Sequence, residues 1–180
     1  METERSFVMV KPDGVKKGLT EEVISRLENA GLTIVEKKEL LPTKDLVLQH
    51  YADDNTWYES VGAKTIGSYK KAGLDITKVF GEEDPIVVGK TVRQWLVDYI
   101  TSGPVMAMIV EGPAGMIKKI REIAGNTNPI EAEPGTLRGD YSDDSYEKAN
   151  NEARSVQNII HASESPAEAE REIKLWFGEE

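Results

Sequence analysis

The sequence predicts an α+β fold, a four-stranded antiparallel sheet covered by helices, and three observations predict it. Apolar runs of strand length, such as Ser6–Val10 and Val105–Val110, alternate with segments whose apolar residues recur at helical spacing. Capping and stopping residues separate the two kinds of segment. The chain has 180 residues, enough for one substantial core and too few for two comfortable ones, so a single domain over 1–180 is expected. With 39% apolar and 30% charged residues, the composition is that of a globular chain and not a disordered one.

The first strand, Ser6–Val10, ends abruptly at Lys11-Pro12-Asp13-Gly14, a turn signature with a lysine at its entrance. Thr20 is a candidate cap for a helix with Val23, Ile24, Leu27 and Ala30 on one face, stopped by Gly31. A second strand follows at about Leu32–Leu41, and Thr43 caps a short helix toward His50-Tyr51. From Ala52 to Lys90 the periodicity weakens, so this stretch is expected to be inserted into a tighter plan. Thr91 can cap a helix carrying Val92, Trp95, Leu96 and Tyr99, and Pro104–Val110 is apolar enough for a central strand covered on both faces. Gly112-Pro113 turns the chain into a helix with Ile117, Ile120 and Ile123 inward, ending at Gly125.

Asn126–Asp140 has no period and reads as a long loop, which in an ordered domain is usually functional. Asp143–Arg154 suggests a short surface helix, and Asn158–His161 a brief strand. Ser165-Pro166-Ala167-Glu168 is a capping box with Pro at the first helical position, the strongest helix-start signal in the chain. Without its irregular parts, the order fits a ferredoxin-like βαββαβ core.

Several classes of function are excluded by composition. The formal charge of −10 and the lack of a dense basic run argue against a nucleic-acid binder. No apolar run approaches the ~18 residues of a membrane span. Zero cysteines remove disulfides, thiolate catalysis and Cys-built zinc sites. The acidic N-terminus has no signal-peptide core, so the cytoplasm is the expected location.

Any histidine chemistry must use His50 or His161. His50 lies at an expected helix end, where a structural capping role is the simpler reading. His161 leaves an apolar strand just before a capped helix N-terminus, where backbone N–H groups favour anions. A neutral imidazole can accept a phosphoryl group, and positioned cations must then neutralise the transferring phosphate. Lys11 in its Pro-Gly turn and Arg138 in Pro134–Asp140 stand in suitable contexts; Arg121 by itself reads as a solvated charge. Val88-Gly89-Lys90-Thr91 imitates the end of a P-loop, but Asp84 stands where the leading glycine is needed. Arg138-Gly139-Asp140 spells an adhesion tripeptide without meaning in a cytoplasmic chain.

Five segments in order, spanning Ser6 to Phe177, resemble nucleoside diphosphate kinases. They are Phe7–Val15, Ser102–Val105, Asn126–Pro129, Pro134–Asp140 and Asn158–Ser165, with Glu172-Ile173 and Leu175-Trp176-Phe177 behind them. The resemblance implies a ferredoxin-like subunit in a homo-oligomer, most often a hexamer and in some members a tetramer. It also implies ping-pong transfer of a γ-phosphate between nucleotides such as ATP, GTP and GDP through phosphohistidine. By position, His161 would carry the phosphoryl group, with Lys11 and Tyr51 at the terminal phosphates. Arg121, Thr127 and Arg138 would hold the phosphates, Asn158 the sugar, and Ser163 with Glu172 would position the histidine. Mg2+ would ride on the nucleotide phosphates with no direct protein ligand.

Against the family pattern, the chain has an insertion of about thirty residues between Tyr51 and Ser102, within about 52–90, and a second at 142–154. The base-stacking Pro-Phe-Phe segment is absent, leaving Trp57, Tyr58 or Val92 as candidates, and Glu164 replaces the usual Asp. His161→Ala is expected to abolish transfer and His50→Ala to leave most of it. A weakly catalytic nucleotide-binding regulator, its cleft blocked by the 52–90 segment, is the competing class.

Overall fold

Phe7, Val8, Met9 and Val10 have no exposed surface at all, which requires a strand covered on both faces. In the computed structural model, described over residues 2–178, they form the end of β1 (Thr3–Val10). With β2 (Thr33–Leu40), β3 (Val105–Pro113) and β4 (Ile160–Ala162), it makes a four-stranded sheet in the order β2-β3-β1-β4. Every pairing is antiparallel. This is the ferredoxin-like βαββαβ arrangement expected from the element order.

The helices are α1 (Pro12–Lys16), α2 (Thr20–Asn29), α3 (Lys44–His50), α4 (Asn55–Lys71), α5 (Thr77–Phe80) and α6 (Pro85–Ile100), then α7 (Met116–Ala124), α8 (Leu137–Tyr141), α9 (Tyr146–Asn151) and α10 (Pro166–Phe177). Strand alternation sorts the core into two layers. Val8, Val10, Met108, Ile160 and Ala162 pack with Val23 and Leu27 of α2 and Ile120 of α7. Phe7, Met9 and Ala107 pack on the other face with Val47 of α3, Val97 and Ile100 of α6 and Trp176 of α10. Met9 pairs with His161 across β1 and β4, so His161 shares the face covered by α10.

Several boundaries differ from expectation. Lys11–Gly14 is not a free turn: Pro12 opens α1, where its missing N–H costs no hydrogen bond. Thr20 is the first residue of α2 and makes no side-chain cap; Leu19 precedes it. The 126–140 loop contains a 3-10 turn at Pro129–Glu131 and α8. Thr43 and Ser165 do cap α3 and α10, accepting from Leu46 N and Glu168 N at 3.1 and 3.2 Å.

The largest difference lies in 52–90. Asp54 caps α4, accepting from Trp57 N at 2.8 Å, and Asp84 caps α6, accepting from Ile86 N at 2.8 Å. Thr91 is therefore inside α6, and the P-loop look-alike is plain helix. The two helices touch backbone to backbone. A Cβ on Gly62 would fall 1.8 Å from Pro85 O, and one on Gly89 2.1 Å from Tyr58 O. Glycine leaves a gap in an apolar stripe, so the face that packs most closely gives the weakest hydrophobic period. Nor is α9 simply a surface helix. Ala149 and Asn150 are buried, Tyr69 of α4 donates to Asn150 O at 3.1 Å, and Asn150 Nδ2 donates to Ser68 Oγ at 3.4 Å. The segments 52–90 and 142–154 thus pack on each other.

Candidate active site

Lys11 is the residue between β1 and α1, and its N–H donates to Ile159 O at 2.7 Å. Gly14 permits this approach, because a Cβ there would lie 2.8 Å from Val10 Cγ1 and 3.0 Å from Ile159 O. Ile159 has φ +74°, a costly conformation for a β-branched residue. It is held there by Asp13, whose Oδ2 accepts its N–H at 3.0 Å. The other Asp13 oxygen accepts from the Tyr99 hydroxyl, which itself accepts Asn158 N–H at 3.3 Å. In the sequence, Asp13 reads only as a turn residue and Tyr99 only as part of an apolar stripe. The strained elbow had no local signal.

Asn158 is buried at the centre of this network. Its Oδ1 accepts from Lys11 Nζ at 2.7 Å and its Nδ2 donates to Thr127 O at 3.0 Å. Burial lowers the Lys11 pKa to about 7, helped by the Arg138 charge and opposed by Asp13. Arg138, also buried, donates from Nε to Asn158 O at 3.1 Å, from Nη1 to Gly125 O at 2.8 Å and from Nη2 to Ile160 O at 2.7 Å. Burial lowers its pKa to about 10, which leaves it charged at neutral pH. Two of its five N–H groups make no hydrogen bond to a described residue. The Gly139-Asp140 end of the tripeptide is a fold device: Asp140 accepts from Gly135 N at 2.8 Å and Arg26 Nη2 at 2.9 Å.

His161 Nε2 lies 2.6 Å from Glu172 Oε2. Glu172 is buried, and His161, His50 and Ser163 outweigh that burial and favour its ionised form. Ser163 locks β4 to β1 as well, accepting from Phe7 N at 3.1 Å and donating to Phe7 O at 3.2 Å. Tyr51 ends α3 beside His50, their rings 4.9 Å apart; burial and the Glu172 charge push its hydroxyl pKa upward, so it stays a donor. Arg121 on α7 reaches Ala162 O at 3.4 Å and Glu164 at 3.8 Å. An open cleft of about 960 Å³ is lined by Arg121, Thr127, Thr136 and Glu164. A second, of about 590 Å³, is lined by Tyr51, Ala52, Arg93 and Arg171. Neither includes His161 itself.

His50 ends α3 as expected, but not as its cap. Its ring does not cap α3; Arg171 does, donating to Gln49 O at 3.2 Å and His50 O at 2.9 Å. The ring is buried instead, 4.7 Å from the His161 ring and 3.2 Å from Glu172 Oε2. Of the base-stacking candidates, Tyr58 is buried with its hydroxyl donated to Asp53, and Val92 packs inside the hairpin against Tyr69 and Val88. Trp57 is half-buried with its ring 6.3 Å from Tyr51.

Among the described residues, the one group of three candidate metal ligands is His50, His161 and Glu172. Two imidazoles and one carboxylate suit a transition metal better than Mg2+. The His50 nitrogen facing the group also carries a proton, because Trp176 Nε1–H, which can only donate, occupies Nδ1 at 3.0 Å. These residues do not form a cage for Mg2+.

A histidine held through one nitrogen by a buried carboxylate, with a lysine and two arginines nearby, is an arrangement suited to phosphoryl transfer through the protein itself. Residues 4–63 and 87–180 match the family model described as nucleoside diphosphate kinase, leaving 64–86 of the helical hairpin unmatched. A nucleoside diphosphate kinase of Pyrobaculum aerophilum is 42% identical over all of this chain and 98% of its own length. One of Archaeoglobus fulgidus is 42% identical over 98% of this chain and 88% of its own. The crystal structure of an NDP kinase from P. aerophilum superposes with a TM-score of 0.95 at 41% identity, covering 98% of this chain and 96% of that one. A Borrelia burgdorferi nucleoside-diphosphate kinase, described as a transition-state mimic with bound vanadate and ADP, gives 0.76 at 34% identity, covering 97% and 87%.

The chain belongs to the nucleoside diphosphate kinase family. It is an enzyme that transfers the γ-phosphate of a nucleoside triphosphate to a nucleoside diphosphate by the family's ping-pong route through phosphohistidine, with a divalent cation. No helix among the described residues is long and apolar enough to cross a membrane.

Proposed function

We propose that His161 is the residue that carries the phosphoryl group, and the observation behind this is its 2.6 Å contact with Glu172. An ionised carboxylate can only accept, so His161 donates from Nε2, and the lone pair of its neutral ring lies on Nδ1. Nδ1 attacks the γ-phosphorus, the bond from that phosphorus to the β–γ bridging oxygen breaks, and the diphosphate leaves with the electron pair. A second diphosphate reverses the step and regenerates neutral His161.

Lys11, Tyr51 and the two remaining Arg138 N–H groups stabilise charge on the transferring phosphate, while Arg121 and Thr127 hold the others. Asn158 fixes Lys11 and the Thr127 backbone against each other, and contacts the sugar by trading one of those bonds. Trp57 is the aromatic available to the base. Mg2+ comes with the nucleotide, where it neutralises phosphate charge. A single domain with its additions at 52–90 and 142–154, a cytoplasmic location and a hexameric assembly complete the proposal. Self-association is supported by the open outer edge of β2 and by Val35, Leu41 and Ile130, which stand 47, 63 and 75% exposed.

The test is incubation with labelled ATP and Mg2+, followed by an acid and base lability assay and a chase with unlabelled GDP. An acid-labile, base-stable label that moves to GDP is expected. Nucleotide binding without any label would overturn the proposal and point to a regulator.

A further inference from the structure

We propose that His50 and Trp176 are positioning residues that set, through Glu172, which nitrogen of His161 is free to react. This rests on His161 being the phosphoryl carrier. Trp176 Nε1 can only donate, and it donates to His50 Nδ1 at 3.0 Å. A neutral His50 therefore carries its proton on Nε2, which lies 3.2 Å from Glu172 Oε2. The same oxygen takes the His161 Nε2 proton at 2.6 Å. One carboxylate oxygen, Oε2, thus collects two N–H groups.

The chain of donors runs one way, from indole to imidazole to carboxylate, and the carboxylate then accepts from the second imidazole. Reversing the His50 tautomer would set its Nε2 lone pair against Oε2. Glu172 would relieve that contact by taking up a proton, and would no longer require a proton on His161 Nε2. His161 could then carry its proton on Nδ1, the atom that must attack.

Packing holds the parts in register. The Phe7 ring lies 6.0 Å from His50, 5.9 Å from His161 and 5.3 Å from Trp176. The charged and titratable groups around His50 are His161 on β4, Glu172 and Arg171 on α10, Lys11 after β1 and Tyr51 at the end of α3. Burial, reinforced by His161, lowers the His50 pKa to about 3, with Arg171 and Lys11 acting in the same direction and Glu172 opposing. His50 therefore stays neutral across the working range and acts through its tautomer, not its charge.

The experiment compares the full-length enzyme with Trp176→Phe, His50→Leu and His50→Gln. Histidine 15N NMR reports the His161 tautomer, and single-turnover phosphorylation by ATP gives rate and nucleotide affinity separately. Trp176→Phe and His50→Leu are expected to mix the His161 tautomers and slow phosphoenzyme formation by about tenfold, the scale of one hydrogen bond and a larger loss than the sequence alone predicts for removing His50, with affinity unchanged. His50→Gln keeps an N–H for Glu172 and is expected to recover most of the rate. If His50→Leu does not fold, Trp176→Phe decides. Wild-type tautomer and rate in the folded variants would overturn the relay, while loss of label in His161→Ala would leave the phosphoryl-carrier reading standing. Label persisting in His161→Ala would overturn both.

Discussion

The sheet end around Lys11, Asn158 and His161 and the hairpin of α4 and α6 are both tightly packed, but by opposite means. At the sheet end, buried polar groups satisfy one another: Asn158 alone joins Lys11, Thr127, Tyr99 and Arg138. In the hairpin, glycines bring two backbones together, with apolar side chains such as Tyr69, Ile76 and Val88 behind them. A buried polar network is specific to its residue types, because each missing partner orphans another group. A glycine contact demands only the absence of a side chain. The first region therefore resists substitution by chemistry and the second by shape.

If the regions are separable in this way, substitutions should divide between chemistry and stability. The largest expected effect is His161→Ala, which removes the nucleophile; rapid-quench labelling should find no phosphoenzyme. Lys11→Ala comes next, with phosphoryl transfer slowed by two to three powers of ten, using ~3–4 kcal/mol for a lost electrostatic donor. Arg138→Ala should match that loss and also lower the melting temperature, because it strips partners from the carbonyls of Gly125, Asn158 and Ile160. An unchanged melting curve would mean those three bonds are replaced by water.

Gly89→Val sharpens the comparison from the other side. Its branched side chain would push against Tyr58 O and cost about 1–3 kcal/mol, a fall of several degrees in Tm. Transfer at saturating nucleotide should stay within about threefold of wild type, a barrier change under ~1 kcal/mol. A parallel collapse of the rate would show that the hairpin is coupled to the sheet end.

The smallest effect is a proton. Lys11 has a pKa of about 7 in the free enzyme, and a neighbouring phosphate favours its charged form. At pH 8 the free side chain is mostly neutral, so nucleotide binding should take up most of a proton. At pH 6 it is already charged, and uptake should be small. Calorimetry in buffers of different ionisation enthalpy measures both, and no uptake at pH 8 would mean that Lys11 is charged before binding.

What was legible followed the range of the signals. Lys11-Pro12-Asp13-Gly14, Asn126–Pro129, Pro134–Asp140 and Asn158–Ser165 are continuous strings, and they carry Lys11, Thr127, Arg138, Asn158, His161 and Ser163. The Ser165 capping box was readable for the same reason, since its partners are three residues apart. The hairpin of α4 and α6 was not, because its packing face is written in glycine and its helix starts depend on Asp54 and Asp84, which read equally well as loop acids. The place of His50 at the end of α3 was legible, but the role of its ring was not, because its sequence neighbours say nothing of Trp176, 126 residues away.

By itself the sequence determined the family, the strand and helix order of the βαββαβ core, the choice of His161 over His50 as the reactive candidate, and the basic residues available to a phosphate. Each of these rests on neighbours along the chain, or on segments recurring in a familiar order. Only the tertiary structure decided that Ile159 would be held at positive φ by Asp13, that Glu172 would join both histidines, and that α4 and α6 would meet through Gly62 and Gly89. These contacts link residues remote in sequence, and their energies come from burial and hydrogen bonds that do not exist until the sheet has closed.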